Sequence, residues 1–437
     1  MIVPEASSID RATTVRYRIV FIATLSAVLL YADRNCVSFA ARYIGDDLGL
    51  DPTQVGWLLS AFFWSYALAQ VPAGWVGDRF GARGTMVVYM LCWSLLTAAL
   101  GLANGFAGLF ALRLACGLAQ AGAYPICSAL VGRWMPLSAR GLASSIVSLG
   151  GRLGGAMVPT TTAYLLDMLN WRGVMLIYGL IGLPVAWWFA RWVTSSPHEH
   201  RRCNPAERAM LATPVPTAGQ RRAATSIPWS TFLRDASLWS MSIAQFGTNV
   251  GWAFLVTWLP DYLEQAHQVP TDERGVMSSL PLLAGMVGGL IGGWLTDRAT
   301  ARWGVRWGRS LPMALSRFGA AAAFVACLWI DDPWLATAAF VVVSFMTDLG
   351  IGATWTFAQD VGGRNVGAVL GWGNMWGNLG AALSPVLLES VLGEDRTDWS
   401  RPFVVCAAAF AVAGVASLGF RADRPLAGRA SRLPITA

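Results

Sequence analysis

Residues 18–43 read RIVFIATLSAVLLYADRNCVSFAARY, an apolar run of membrane-spanning length with Asp33 and Arg34 inside it. A transmembrane helix needs about 20 mostly apolar residues, and a charge at mid-bilayer costs roughly 2.5–3.5 kcal/mol on insertion scales. Further along, Arg113, Arg152 and Asp348 fall within equally apolar stretches. Helices that only anchor a domain in lipid would not carry such charges. They require a polar interior in which to pair or be solvated. The chain therefore reads as a polytopic membrane protein with an aqueous, positively charged central cavity, which implies a carrier for an anion.

Composition agrees. The 437 residues are 55% hydrophobic and only 13% charged, against roughly 25% charged in soluble domains. Every basic residue is arginine, and the formal net charge is +7. Nucleic-acid binding is not expected, because the arginines are scattered through short hydrophilic breaks, as membrane topology requires. The seven cysteines form no CxxC pair, so neither a disulfide framework nor a metal site is indicated. No cofactor is expected. No cleavable signal pattern precedes the first span, which is expected to serve as its own insertion signal.

Twelve segments are long and apolar enough to span: 18–42, 53–77, 85–106, 108–132, 141–167, 172–194, 237–264, 275–297, 309–330, 333–358, 365–390 and 401–421. Arg79 and Arg83, Arg133 and Arg140, the 191–234 cluster, Arg298 to Arg309, Arg364 and Arg421 to Arg432 fall in alternate breaks. The other breaks carry mainly acids, including Asp46, Asp47, Asp51, Asp331, Asp332, Glu394 and Asp395. The positive-inside rule then places both termini in the cytoplasm. The polar break near 195–236 divides the chain into an N-terminal bundle (1–194), a connector (195–236) and a C-terminal bundle (237–437). His198, His200 and Cys203 fall in this connector, which is expected to be solvated and mobile.

The halves echo each other. PAGWVGDRFGAR at 72–83 returns as GGWLTDRATAR at 292–302, and GRLGGAMVP at 151–159 returns as GNLGAALSP at 377–385. Two echoes at nearly one offset predict two pseudo-symmetric six-helix bundles with a substrate site between them. The stretch Gly74-Trp75-Val76-Gly77-Asp78-Arg79-Phe80-Gly81-Ala82-Arg83 resembles the loop signature of the major facilitator superfamily. Tyr31-Ala32-Asp33-Arg34-Asn35, Tyr66 before Ala69-Gln70-Val71-Pro72, Val256-Thr257-Trp258-Leu259-Pro260-Asp261-Tyr262 and Asp360-Val361-Gly362-Gly363-Arg364 are similar to its anion:cation symporter branch. The resemblance implies an all-α fold of twelve transmembrane helices. It also implies proton-coupled uptake of a small organic anion, such as a sugar acid, across a bacterial inner membrane. In that family the loop, here Gly74, Asp78, Arg79, Gly81 and Arg83, latches the halves together. A monomer is expected. An uncoupled or exchange-type carrier is the alternative, and a drug efflux pump a weaker one. No soluble domain, phosphate loop or nucleophile elbow suggests an enzyme.

Tyr31 and Arg34, three apart, share a helix face, while Asp33 sits about 100° round. A guanidinium matches a carboxylate bidentately and stays charged at any pH. Arg34 is therefore the expected anion contact, with Tyr31 and Tyr66 beside it; the alternative is a structural Asp33–Arg34 network. Arg113 shares a face with Gln120, where related symporters carry a titratable glutamate, so coupling here would pass to Asp33, alternately paired with and released from Arg113, or to Asp348. Asp348 reads equally as a helix-packing residue. Where relatives carry an amide, this chain has Gly151, followed by Arg152. Arg152 is expected either as a second cationic contact, suiting a substrate with two acidic groups, or as a salt-bridge partner of Asp33 or another helix. Asn374 with Asn378, and Gln245, Asn249 and Trp252, form stripes suited either to sugar hydroxyls or to interhelical bonding.

Overall fold

The computed structural model describes residues 11–211, 227–392 and 398–426. Glu394, Asp395 and positions 212–226 of the expected connector lie outside the described residues.

The described chain is helical throughout, without strands, and has twelve spans. Span 1 is Val15–Leu48, span 2 Pro52–Phe80, span 3 Ala82–Leu100, span 4 Phe106–Trp134, span 5 Arg140–Met168 and span 6 Trp171–Trp192. Span 7 runs from Ala236–Ala253 through a π turn, Phe254–Trp258, into Leu259–Gln265. Spans 8 and 9 form one run, Thr271–Ala326, broken at Gly304 by its positive φ of 74°. Span 10 is Pro333–Gly362, span 11 Val366–Leu392 and span 12 Ser400–Leu418. Span 4 breaks near Ala121–Gly122 and span 10 at Gly350, so the fourth span of each half is broken.

Local chemistry sets these ends. Asp51 and Gln54 form a reciprocal capping box at the start of span 2. Asn170 and Asp332 cap the first turns of spans 6 and 10, the latter with proline following. Gly49 and Gly81 close spans 1 and 2 with φ of 62° and 97°, a region that favours glycine.

Among the described residues seven helices, the joined Thr271–Trp329 included, are long and apolar enough to cross a membrane. Spans 2, 5, 7 and 11 fall short of that measure. Spans 2, 5 and 11 carry the glycines and polar residues of the seam between the halves, where they pack against spans 11, 8 and 2 respectively. Membrane helices associate through such small residues rather than through hydrophobicity.

The core explains which end of the seam is closed. One apolar cluster runs through both halves near residues 74–83, joining Leu130 and Val147 to Phe357 and Leu370. At the opposite end the halves keep separate cores. One contains Ile44, Leu58 and Trp171; the other is an aromatic cluster around Phe254, Tyr262, Phe340 and Phe403. There Pro159, Thr160 and Thr161 of span 5 are exposed in succession, covering about 200° of the helix. The seam is a cleft, shut at one end.

The described part of the connector corrects the expectation of a solvated stretch in part: His198, Glu199, Arg201 and Arg202 are exposed, but their neighbours are not. His200 packs edge-on against Trp134 at 5.6 Å, and Cys203 is buried. Glu207 accepts hydrogen bonds from the Thr13 hydroxyl and the Val15 and Arg16 amides, and pairs with Arg16 at 3.0 Å. Burial pushes the Glu207 carboxyl up, but these donors outweigh it and leave the pKa below the usual range.

Candidate functional site

At the shut end, each half caps a helix of the other. Asp78 accepts hydrogen bonds from the Gly367 and Ala368 amides at 3.0 and 2.9 Å, in the first turn of span 11. Its repeat counterpart Asp297 accepts from the Gly141 and Leu142 amides at 2.7 and 2.9 Å, in the first turn of span 5. A helix start exposes unpaired N–H groups and the positive end of its dipole, so a carboxylate fits there. Glycine permits the approach. A Cβ at Gly74 would lie 2.3 Å from the Gly367 carbonyl oxygen, and one at Gly141 2.5 Å from that of Gly293. Arg140 and Arg309 both bond to Asp360, at 3.3 and 2.8 Å, and Gln359 donates to Ser144 and Ser128. Arg83 instead braces its own half, donating to the Ala190 carbonyl, while the Arg79 guanidinium lies 5.1 Å from the Trp75 ring centre.

About halfway along the cleft the environment changes. Arg34 is buried at 7% exposure, with its guanidinium over the rings of Tyr66, Tyr31 and Phe62 at 4.2, 4.7 and 4.9 Å. Its Nε and Nη2 have no hydrogen-bond partner among the described residues. Arg113 lies 4.8 Å from the centre of the same Phe62 ring, so one aromatic side chain serves both cations. Asp33 turns away, as its 100° offset predicts. It faces Trp93 of span 3, is 1% exposed, and neither carboxylate oxygen has a hydrogen-bond partner among the described residues. Neither the Asp33–Arg34 network nor the Asp33–Arg113 pair forms. Phe62 lies against both arginines, and each makes cation–π contacts instead.

Arg152 meets Asp348 of span 10 with Nη2–Oδ1 at 2.5 Å. It is the salt-bridge alternative that forms, with a partner across the seam. The same guanidinium lies 5.3 Å from the Trp252 ring centre. Between Arg34 and Arg152 stand Tyr31 and Tyr124, whose ring centres are 6.1 Å apart. Tyr124 also meets Trp355 from the other half, edge to face, at 5.3 Å.

Gly151 makes this possible. A Cβ there would lie 2.2 Å from the Tyr124 hydroxyl and 2.6 Å from the Tyr31 ring. We expect Gly151→Ala to push Tyr31 off Arg34, lowering uptake about tenfold and destabilising the fold by about 1–3 kcal/mol. Uptake and detergent melting measured together check this.

Across the cleft, the Asn378 amide donates to the Asn374 carbonyl at 2.7 Å, and that of Asn249 to the Gln245 carbonyl at 2.8 Å. Asn249 and Trp252, like Asn374 and Asn378, remain half-buried. Two surface cavities, of about 430 Å³ beside Ser390 and Arg401 and about 530 Å³ beside Arg298 and Trp303, lie away from Arg34 and Arg152. Sequence reasoning missed Phe62, Tyr124, Trp355 and Arg317. The first three are aromatic residues among many, and only Arg317, an arginine inside an apolar span, carried a signal.

Two six-helix bundles joined at one end, with buried cations along the cleft between them, define a multi-pass membrane transporter rather than an enzyme. The profile of the Major Facilitator Superfamily matches residues 23–385, and the chain belongs to that family. It is 29% identical to a probable sulfoacetate transporter of Cupriavidus necator, over 92% of this chain and 93% of that one. It is 28% identical to a probable galactarate/D-glucarate transporter of Escherichia coli, over 89% of each. It is also 27% identical to a hexuronate transporter of Bacillus subtilis, over 93% and 94%. Its fold is similar to that of a proton:xylose symporter, with TM-score 0.68 at 13% identity over 92% and 94% of the two chains. A human organic anion transporter gives 0.67 at 16% identity over 92% and 99%.

Proposed function

We propose that this chain takes up a small organic anion, a sugar acid or related carboxylate with two acidic groups, by proton-coupled alternating access. One observation carries the reading: Arg34, a permanently charged group, is buried at mid-cleft against three aromatic rings with two nitrogens unpartnered. Such a charge is costly unless an anion joins it. Four guanidinium groups, Arg34, Arg113, Arg152 and Arg317, stand in the interior against only two acidic side chains, Asp33 and Asp348, an excess of positive charge that suits an anion with two acidic groups. The names of two relatives, a probable sulfoacetate transporter and a probable galactarate/D-glucarate transporter, point to acids of that kind.

Tyr31, Tyr66 and Arg34 hold one acidic group. Asn249, Trp252, Asn374 and Asn378 offer amides and a flat apolar face to the hydroxyl-bearing body. The bundles 1–194 and 237–437, linked by 195–236, rock about the site, and Gly74, Asp78, Arg79, Gly81 and Arg83 with their repeat latch the cytoplasmic side. The protein works as a monomer in a bacterial inner membrane with both termini in the cytoplasm.

Asp33 carries the coupled proton; unpaired with Arg113 in this conformer, it would pair with Arg113 in another and so release and regain the proton through the cycle. The second reading, an uncoupled or exchange carrier, draws support from Gln120, which is buried, cannot titrate and leaves its Oε1 without a partner. Uptake into proteoliposomes with and without an inward proton gradient separates the two. We expect about tenfold stimulation by a gradient of one to two pH units, in line with proton driving force, and its loss in Asp33→Asn with counterflow retained. An equal rate with no gradient rejects symport.

A further inference from the structure

We propose that the Arg152–Asp348 ion pair is a lock between the halves that substrate opens. The second acidic group of the substrate takes Arg152 from Asp348, and Asp348 passes to Arg317. The inference rests on the reading of Arg34 as the first anion contact.

The position of the pair argues for a lock. Arg152 lies twelve residues beyond Arg140 of the shut end, and Asp348 twelve residues before Asp360, so the bond sits about 18 Å along the seam on each side. The bonds at the shut end are backbone caps and buried pairs that a substrate cannot reach. This one is different. The Arg152 side chain is 22% exposed and that of Asp348 3%, so a solute entering the cleft reaches the cation and not the acid. One nitrogen meets one oxygen, a single-point contact that a bidentate carboxylate or a sulfonate can displace.

Asp348 also has somewhere to go. Arg317 of span 9 is 2% exposed; its Nη1 donates to the Thr347 carbonyl at 2.5 Å, and its Nε has no partner. It already attracts Asp348 electrostatically. Glycines leave room for both groups: a Cβ at Gly285 would lie 2.6 Å from Asp348 Oδ2, and one at Gly350 2.8 Å from Arg317 Nη2. Breaking a buried pair is costly when one charge is stranded. Here neither is, because the incoming anion satisfies Arg152 and Arg317 satisfies Asp348. The exchange removes a bond that spans the halves and replaces it with bonds that need not. Substrate binding thereby unties the middle of the seam.

The test is binding of galactarate, a diacid, and galactonate, a monoacid, to the full-length purified protein and its variants. Arg152→Gln should weaken galactarate by about tenfold or more and galactonate by about twofold or less, the difference of one charge-assisted contact. Asp348→Asn should do the opposite, tightening galactarate several-fold because Arg152 has no competitor, while galactonate is unmoved. Arg317→Gln should weaken galactarate by holding Asp348 on Arg152, and it reads the competition even where Asp348→Asn does not fold. A purely structural strut would shift both acids alike and in one direction, which overturns the lock. So would Asp348→Asn weakening galactarate. Arg34→Gln keeps the two readings apart. If it spares both acids, or if the wild type binds neither, the anion site itself is wrong. If it removes both while Asp348→Asn leaves galactarate unchanged, only the lock falls.

Discussion

Arg34→Gln is expected to reduce anion uptake by about 30-fold or more while the protein still inserts and folds. Removing one partner of a desolvated charge pair costs about 2–5 kcal/mol, and each 1.4 kcal/mol is a factor of ten. The same substitution should leave thermal stability in detergent unchanged or slightly raised. The reason lies in the unliganded protein, where Arg34 is buried with Nε and Nη2 unpartnered among the described residues. Removing an unpaired buried charge relieves the fold even as it removes the anion contact. A structural role would give the reverse pattern, falling stability with uptake largely kept. Arg34→Lys is expected to recover only part of the activity, because an ammonium cannot reproduce the planar fork or its stacking on Tyr66. Near-normal uptake by Arg34→Gln would remove the assigned role.

Asp78→Ala combined with Asp297→Ala should open the shut end. Each carboxylate caps two amides at the start of a helix in the other half. Losing such a cap costs about 0.5–2 kcal/mol, and the distant sites should add. The pair then shifts the equilibrium against this conformer by about 1–4 kcal/mol, or about 5- to 1,000-fold. Uptake should fall about tenfold or more, because a carrier that cannot re-close on one side cannot cycle. Spin labels on Phe80 and Arg364, at the ends of spans 2 and 11 near the caps, should report longer and broader distances in the double variant. An unchanged distance distribution would show that the caps do not hold the halves together. The single substitutions should each give part of the effect, as expected for two independent latches.

The duplicated motif was the most readable part of the site. The spacing around Asp78 and Asp297 announced equivalent residues, and the structure gives them equivalent tasks on spans 11 and 5. Arg34 and Tyr31 were readable as one helix face, and Asp33 as another, because helical periodicity settles direction from the axis. It does not settle what lies in that direction. Arg152 looked equally suited to substrate and to a salt bridge, and its partner Asp348 is 196 residues away on a helix of the other half. Gly151 read as a missing amide. Only the packed neighbours reveal that the space belongs to Tyr31 and Tyr124. The connector, expected to be solvated, is partly buried for the same reason: Glu207 is polar in sequence but satisfied by the first turn of span 1.

By itself the sequence determined that this is a polytopic helical membrane protein in two related halves with cations in its interior. Span length and apolarity are imposed residue by residue by the bilayer, and a duplicated chain keeps its spacing. Tertiary structure alone decided which end of the seam is shut, which carboxylate holds Arg152, and that Arg34 stands among aromatic rings. Those outcomes depend on where helices far apart in sequence come to lie against each other, and no local pattern encodes that.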